Sequence, residues 1–268
     1  MKIVTLSDSE FNQFKSWLYQ VAGINLSSEK KPLVTNRLGT RVKHYNLSSY
    51  GEYFRLISQQ SEVKEKQLAI DLLTTNETYF FREPKHFDYL RTQVLPKAPR
   101  GIPFRVWCAA SSSGEEPYTI AMTLAEGLLS TPWEIVASDI SARVLEKARS
   151  AQYPMERSKG IPENLLKKYC LKGIGPHEGT FLIESSLSSK VKFMQVNLIE
   201  NLPALGEFDL VFLRNVMIYF DLETRCQVVA RILPLIKPGG HLILSHSENL
   251  NGVNAIFKQV VPSIYRKP

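Results

Sequence analysis

The chain has 268 residues, of which 44% are hydrophobic and 22% charged, as in a soluble globular protein with one large domain or two modest ones. It has no apolar run of the roughly 18 residues that a membrane-spanning helix needs, and the N-terminal stretch MKIVTLSDSEF lacks the apolar core of an export signal. Three widely spaced cysteines favour a cytoplasmic location and argue against a zinc site. The net charge of +7 favours an anionic partner, which could be nucleic acid, a membrane surface or an acidic protein; a merely basic soluble protein is the plainer alternative.

Residues 1–75 are predicted to form a helical domain, because this part of the chain has no convincing strand pattern. In DSEFNQFKSWLYQVAGI the apolar residues recur at the spacing of one helix face. Further helices are predicted at LVTNRLGTRVKHYN, SSYGEYFRLIS and EKQLAIDLLTT. Arg37 and Arg41 are four residues apart and share a face, which indicates either a solvated surface or a docking surface for an acidic partner.

From about residue 101 the pattern changes to apolar runs that alternate with helical segments. FRVWCAA, WEIVASD, VKFMQV, FDLVFLR and HLILSHS are predicted strands, and NAIFKQVVPSIYRK is a predicted hairpin at the sheet edge. This alternation predicts an α/β fold over residues 101–268, with a doubly wound, mostly parallel sheet covered by helices on both faces.

A segment from about 160 to 190 interrupts the alternation. Its glycine-rich GIGPHEG followed by FLIE predicts a small antiparallel β insertion. An insertion of this size is either a decorative loop or a surface for partner contacts.

A loop of very small side chains, AASSSG, follows the first predicted strand, at the edge where open parallel sheets bind ligands. Glu115 and Glu116 open the next helix and would repel a pyrophosphate. They suit a ligand with positive charge and hydroxyls, such as S-adenosylmethionine, unless they only stabilise the helix dipole. Asp139 ends the second strand, where a carboxylate can accept hydrogen bonds from ribose hydroxyls.

The fourth predicted strand, FDLVFLR, is apolar enough to be central in the sheet. Arg214 and Asn215 lie at its carboxyl end, where a site would be. Tyr219 is close enough to face the same crevice, unless it is simply a core side chain.

Six segments resemble the chemotaxis receptor methyltransferases, the CheR family: LLTTNETYFFREPKHF, VWCAASSSGEEPY, ASDISARVLEKARSAQY, GPHEG, FLRNVMIYF and KPGGHLILSHSEN. They occur in order over nearly the whole chain, and several are long and unusual. The resemblance implies an enzyme that uses S-adenosylmethionine to form methyl esters on glutamates of chemoreceptor cytoplasmic helices. It also implies a Rossmann-like catalytic domain with an inserted β-subdomain, and a linker, residues 76–100, that contributes to the cofactor site.

The resemblance also assigns functional residues by motif. The cofactor-binding residues would be Asn76, Thr78, Arg82, Glu116, Asp139, Asn197, Leu198, Arg214 and Asn215. Tyr219 matches a tyrosine that the family places near the transferred methyl group. Arg82 is the second catalytic candidate, because a guanidinium can orient a carboxylate. From pattern alone, TTNETYFFR indicates only a linker or a strand.

Partner contacts are implied in the same way. Arg37 and Arg41 would help a basic helix to dock on the acidic receptor bundle, and GIGPHEG is compatible with binding of a receptor's C-terminal tether peptide. No metal, nucleic acid or membrane insertion is expected, and nothing in the sequence demands more than a monomer.

Two alternatives remain open. A nucleic-acid methyltransferase would suit the basic charge, but RNVMIY lacks the Asp/Asn-Pro-Pro-aromatic motif of amino-methylating DNA enzymes, and no aromatic and basic stripe appears. A non-catalytic cofactor-binding sensor would keep Glu116 and Asp139 without needing Arg82 or Tyr219. The lack of an obvious catalytic base fits esterification, because a glutamate carboxylate is already ionised at neutral pH.

Overall fold

The N-terminal part of the chain is all-helical in the computed structural model, which describes residues 4–99 and 101–268. The first three residues of the predicted helical domain and residue 100 of the predicted linker lie outside the described residues. The helices of this part are α1 Asp8–Ala22, α2 Lys31–His44, α3 Tyr50–Ile57 and α4 Val63–Leu73. Each of the four segments in which the sequence predicts a helix therefore forms one.

Helix α1 shows how local sequence sets these boundaries. Glu10 N donates a hydrogen bond to the Ser7 hydroxyl, and Ser7 N donates one to the Glu10 carboxylate, so the two residues form a capping box. Gly23 ends the helix with a φ of 70°, a conformation that glycine adopts more readily than other residues. The apolar face between these ends, which includes Phe14 and Leu18, is buried.

A buried carboxylate, that of Glu65, ties three of these helices together. Arg41 of α2 donates two hydrogen bonds of 2.8 Å to it. Tyr53 of α3 donates a third of 2.8 Å, and Tyr45 a fourth of 3.1 Å. Although burial alone would raise the pKa of Glu65, the hydrogen bonds from Arg41 and Tyr53 lower it.

The rest of the chain forms an α/β fold with a large seven-stranded sheet and a small three-stranded sheet. The strands are β1 Phe104–Cys108, β2 Trp133–Asp139, β3 Gln152–Pro154, β4 Cys170–Lys172, β5 Thr180–Ile183, β6 Val191–Gln195, β7 Phe208–Phe212, β8 Ile236–Ile243, β9 Lys258–Val261 and β10 Ile264–Arg266. The helices are α5 Lys85–Tyr89, α6 Glu115–Gly127, α7 Ala142–Ser150, α8 Glu163–Tyr169, α9 Ser185–Ser188 and α10 Leu222–Ile232. The large sheet has the order β6-β2-β1-β7-β8-β10-β9. Its first five strands are parallel and the C-terminal hairpin β9–β10 is antiparallel, so the predicted fold class is confirmed.

Three local features differ from the sequence-based expectation. The small antiparallel sheet, in the order β3-β5-β4, begins at Gln152 rather than near residue 160. Strand β3 pairs directly with β5, although helix α8 lies between them in the sequence. Strand β8 ends at Ile243 instead of continuing through HLILSHS, because Ser245 N turns back to the Glu248 carboxylate. The segment TTNETYFFR forms neither a helix nor a strand, and the linker continues into helix α5, which the sequence analysis did not predict.

The helical part and one face of the large sheet share a continuous apolar core. Phe14, Leu18 and Leu38 from the helices belong to the same buried cluster as Trp107 and Val211 from β1 and β7. The other face packs against α6, the linker and the small sheet. Within the described residues, each helix is too short or too polar to cross a bilayer.

The Glu65 network yields a prediction about stability. In Glu65→Ala, Arg41 and Tyr53 lose their acceptor, and we expect the free energy of unfolding to fall by about 3 kcal/mol, near the lower end for a broken buried ion pair. Urea denaturation at pH 7 measures this change, with the exposed Glu29→Ala as the matched control.

The same network fixes the sign of the pH dependence. Because the pKa of Glu65 is lowered on folding, its contribution is present above the ordinary value of 4.5 and is lost as the pH falls through the lowered value. The difference between wild type and Glu65→Ala should therefore shrink in acid. Equal stability of the two proteins at pH 7 would contradict the structural role of Glu65.

Candidate functional site

A pocket opens at the carboxyl edge of the large sheet, where it meets the helical part of the chain. The segments that follow β1, β2, β6 and β7 all contribute to its lining. Strand β1 lies between β2 and β7, so the chain order reverses there, which is where doubly wound sheets bind ligands. The space measures about 830 Å³ when the open mouth is included.

The ten residues that the family resemblance assigns to cofactor binding or catalysis all line this pocket. They are Asn76, Thr78, Arg82, Glu116, Asp139, Asn197, Leu198, Arg214, Asn215 and Tyr219. Their convergence is a structural observation; their contacts with a cofactor remain a prediction.

The loop after β1 brings main chain close to the pocket. Ala109, Ala110 and Ser112 line it with very small side chains. Gly114 follows with a φ of 99°, and a Cβ there would lie 2.6 Å from the Tyr153 hydroxyl oxygen and 3.0 Å from the Ala148 Cβ. The glycine therefore lets the loop pass directly into α6.

Asp139 both shapes this loop and faces the pocket. Its carboxylate accepts hydrogen bonds from Ser112 N at 2.8 Å and Ser141 N at 2.9 Å. Burial raises the pKa of Asp139, although these amides act in the opposite direction. Each carboxylate oxygen can accept more than one hydrogen bond, so Asp139 can still receive the hydroxyls of a ribose.

The two glutamates at the start of α6 have different surroundings. Glu116 lines the pocket and forms a buried ion pair with Arg214. Glu115 lies outside the pocket lining and pairs with Arg157 at 2.6 Å. The prediction that both glutamates face a positively charged ligand is therefore wrong for Glu115, because this side chain supports the β insertion instead.

Arg82 and Tyr219 are brought together from distant parts of the chain. The Arg82 guanidinium donates a hydrogen bond of 2.7 Å to the Glu77 carbonyl and lies over the Tyr79 ring, with its Cζ 5.6 Å from the ring centroid. Burial raises the pKa of Tyr219, so its hydroxyl remains protonated at neutral pH. The Tyr219 carbonyl accepts a hydrogen bond from Asn25 N, which links the site to the helical part.

The two arginines predicted to contact a partner are both held within the fold. Arg37 donates to the carbonyls of Leu73 and Thr74, at 3.1 and 2.9 Å, where the chain enters the pocket lining. Arg41 forms the ion pair with Glu65. Both side chains are half-buried and make these contacts within the fold, so their contact with a partner stays a prediction; Lys43 is an exposed cation of the same helix.

Some pocket residues had no signal in the sequence. Ala22 and Ile24 come from the end of α1, and Phe220 from the turn before α10. Ala22 and Ile24 reach the site only because the helical part packs on the sheet, whereas Phe220 directly follows Tyr219. Thr74, Thr75 and Glu77 flank residues that the resemblance had assigned.

The donors and acceptors of the pocket fit S-adenosylmethionine. Arg214 places a positive charge at the pocket wall, although its side chain has no exposed surface and its Nε has no hydrogen-bond partner among the described residues. Asp139 suits the ribose. Ile140, Val196 and Leu198 provide apolar walls for a flat heterocycle.

Comparison with known proteins agrees with this geometry. Residues 9–74 match the model of the CheR methyltransferase all-alpha domain, and residues 76–265 match that of the CheR methyltransferase SAM-binding domain. The chain is 41% identical to the chemotaxis protein methyltransferase of Escherichia coli strain K12, over 98% of this chain and 92% of the relative.

Two further relatives are equally similar. A chemotaxis protein methyltransferase of Salmonella typhimurium is 41% identical over 98% of this chain and 91% of its own length. Chemotaxis protein methyltransferase 2 of Pseudomonas aeruginosa is 41% identical over 96% and 92%. The chain therefore belongs to the CheR methyltransferase family and carries its S-adenosylmethionine-binding domain.

Proposed function

We propose that this methyltransferase forms methyl esters on glutamate side chains of the cytoplasmic helices of chemoreceptors and thereby tunes adaptation in chemotaxis. The main support is that Arg82 and Tyr219 line the same pocket as the predicted cofactor residues. The matched relatives are named as chemotaxis protein methyltransferases. We further propose that the protein acts in the cytoplasm as a monomer.

The proposed reaction requires no general base. Bound S-adenosylmethionine supplies a methyl group on a positively charged sulfur, which an ionised carboxylate can accept without losing a proton first. Among the described residues, the pocket lining contains no His, Lys or Cys. The pocket's own groups therefore bind, orient and exclude water, and orientation alone can contribute roughly 7 to 11 kcal/mol.

Each of these tasks has candidate residues. Asp139 and Arg214 would hold the cofactor, while Arg82 would orient a carboxylate and Tyr219 would border the reacting groups. Ile24 from the helical part and Phe220 from the turn before α10 provide apolar cover for the pocket. Excluding water in this way leaves an acceptor carboxylate less hydrated, which strengthens its interaction with fixed protein groups.

The small sheet supports a second contact with the receptor. Strand β4 is an edge strand; Leu171 within it and Ile174 just after it are 51% and 80% exposed. An extended peptide could add to this edge through main-chain hydrogen bonds while these side chains contact its apolar residues. We propose a receptor's C-terminal tether peptide as the occupant.

The reaction product is the first prediction of this proposal. Incubation with methyl-labelled S-adenosylmethionine and chemoreceptor-rich membranes should label receptors, and alkali should then release the label as volatile methanol. Label that resists alkali would mean methylation of nitrogen or sulfur and would contradict the glutamate assignment. Label that depends on added DNA or RNA would favour a nucleic-acid methyltransferase, and no transfer to any substrate would favour a sensor.

Asp139 provides a prediction about cofactor binding. Asp139→Asn should weaken the binding of S-adenosylhomocysteine about tenfold to hundredfold, because a charged hydrogen bond contributes roughly 1.5 to 3 kcal/mol. Titration calorimetry measures the dissociation constant, with the exposed Asp88→Asn as a control. An unchanged constant in Asp139→Asn would show that the carboxylate serves only the loop amides.

Arg82 provides a prediction about turnover. Arg82→Ala should lose most methyl transfer while the thermal midpoint stays near that of wild type, because this guanidinium is outside the buried core. Initial rates with receptor membranes measure the effect, and Arg91→Ala supplies an exposed arginine control. Near wild-type turnover in Arg82→Ala would remove Arg82 from the mechanism.

A further inference from the structure

The main chain on both sides of Arg82 has an uncommon conformation. Phe81 has a φ of 57° and Glu83 a φ of 59°, so two bulky residues with a Cβ lie in the left-handed region. This region is energetically unfavourable for residues other than glycine. The turn persists only if contacts with the surrounding fold determine it.

Hydrogen bonds from two other elements supply these contacts. Phe81 N donates to the Thr119 hydroxyl of α6 at 3.1 Å. The Nη2 of Arg214 donates to the Arg82 carbonyl at 2.6 Å and also lies 3.1 Å from the Glu83 carboxylate. A single guanidinium group therefore joins the main chain of Arg82 to the side chain of Glu83.

The Glu83 carboxylate is held from several directions. His246 N donates to it at 3.2 Å, and the His86 Nδ1 lies 3.4 Å away. Burial lowers the pKa of His86 to about 3, so this imidazole is neutral at physiological pH. Although burial alone would raise the pKa of Glu83, the Arg214 charge lowers it, so the carboxylate stays ionised.

Two carboxylates, those of Glu116 and Glu83, compensate the buried charge of Arg214. Its side chain has no exposed surface, and burial alone would lower its pKa, but Glu116 and Glu83 together raise it. If one of the two carboxylates is removed, the buried guanidinium charge is no longer fully compensated, and the side chain can shift to another position. A shift of Arg214 would act directly on the Arg82 carbonyl.

The sequence assigned no role to Glu83, although it follows Arg82 directly. We propose that Glu83 is a positioning residue for methyl transfer: together with Arg214 it clamps the turn that presents the Arg82 side chain to the pocket. The inference rests on the role proposed above for Arg82. Glu83 itself is not part of the pocket lining.

A metal site is the competing interpretation of this cluster. Ligand atoms of Glu83, His86 and His246 lie within 4.8 Å of one another. However, the Arg214 guanidinium already places a positive charge next to the Glu83 carboxylate. A divalent cation would be repelled by this guanidinium, so the clamp explains the arrangement better.

The test combines a structural readout with a double-mutant cycle. In Glu83→Ala, amide hydrogen exchange in residues 79–83 should accelerate at least tenfold, with little change elsewhere. Its kcat/KM should fall roughly tenfold to hundredfold, because a misplacement of about 1 Å can cost that much. In the Arg82→Ala background the same change should cost less than about twofold, whereas independent residues would multiply their effects.

A control variant and a conservative variant allow the possible outcomes of this test to be distinguished. Glu163→Gln alters a glutamate that is 80% exposed and should match wild type in every readout. If Glu83→Ala does not fold, Glu83→Gln, which keeps the size and removes the charge, replaces it throughout. Unchanged kcat/KM in Glu83→Ala, or fully multiplicative losses in the double variant, would overturn the positioning role. Wild-type turnover in Arg82→Ala would instead overturn the role proposed for Arg82.

Discussion

The site depends on the ion pairs that the buried guanidinium of Arg214 forms with Glu116 and Glu83. An ion of this kind is stable inside a protein only when its hydrogen-bonding groups and its charge are matched by the surroundings. Here Glu116 from the start of α6 and Glu83 from the linker supply the charge. The requirement brings the end of β7, the start of α6 and the linker to one point, and these elements form much of the pocket.

The helical part of the chain completes the site through packing rather than through charge. Its core is continuous with one face of the sheet, so the end of α1 becomes a wall of the pocket. Arg37 of α2 holds the carbonyls of Leu73 and Thr74 at the end of α4, where the chain enters the pocket lining. A domain that the sequence linked only to partner recognition therefore also shapes the cofactor pocket.

The sequence predicted the features that depend on local pattern. Alternating strands and helices gave the parallel sheet, and the small loop with Asp139 located the binding edge. The positions and ion-pair partners of long charged side chains could not be predicted from local pattern. Arg41 and Glu115 both sit on helices with a plausible exposed role, and both are held by residues far away in sequence. The left-handed turn at Phe81 and Glu83 had no local signal, because contacts from α6 and β7 impose it.

The proposed chemistry explains why so much structure supports a site without an obvious base. A carboxylate acceptor is reactive as it stands, so rate and selectivity both depend on where it is held relative to the cofactor. Exposed glutamates are common on proteins, and intrinsic reactivity cannot distinguish among them. On this proposal, discrimination comes from the pocket, whose lining combines Arg82 and Tyr219 with Ala22 and Ile24 from the helical part. A rigid turn beneath Arg82 then serves selectivity as much as speed, because a mobile guanidinium would accept carboxylates in many orientations.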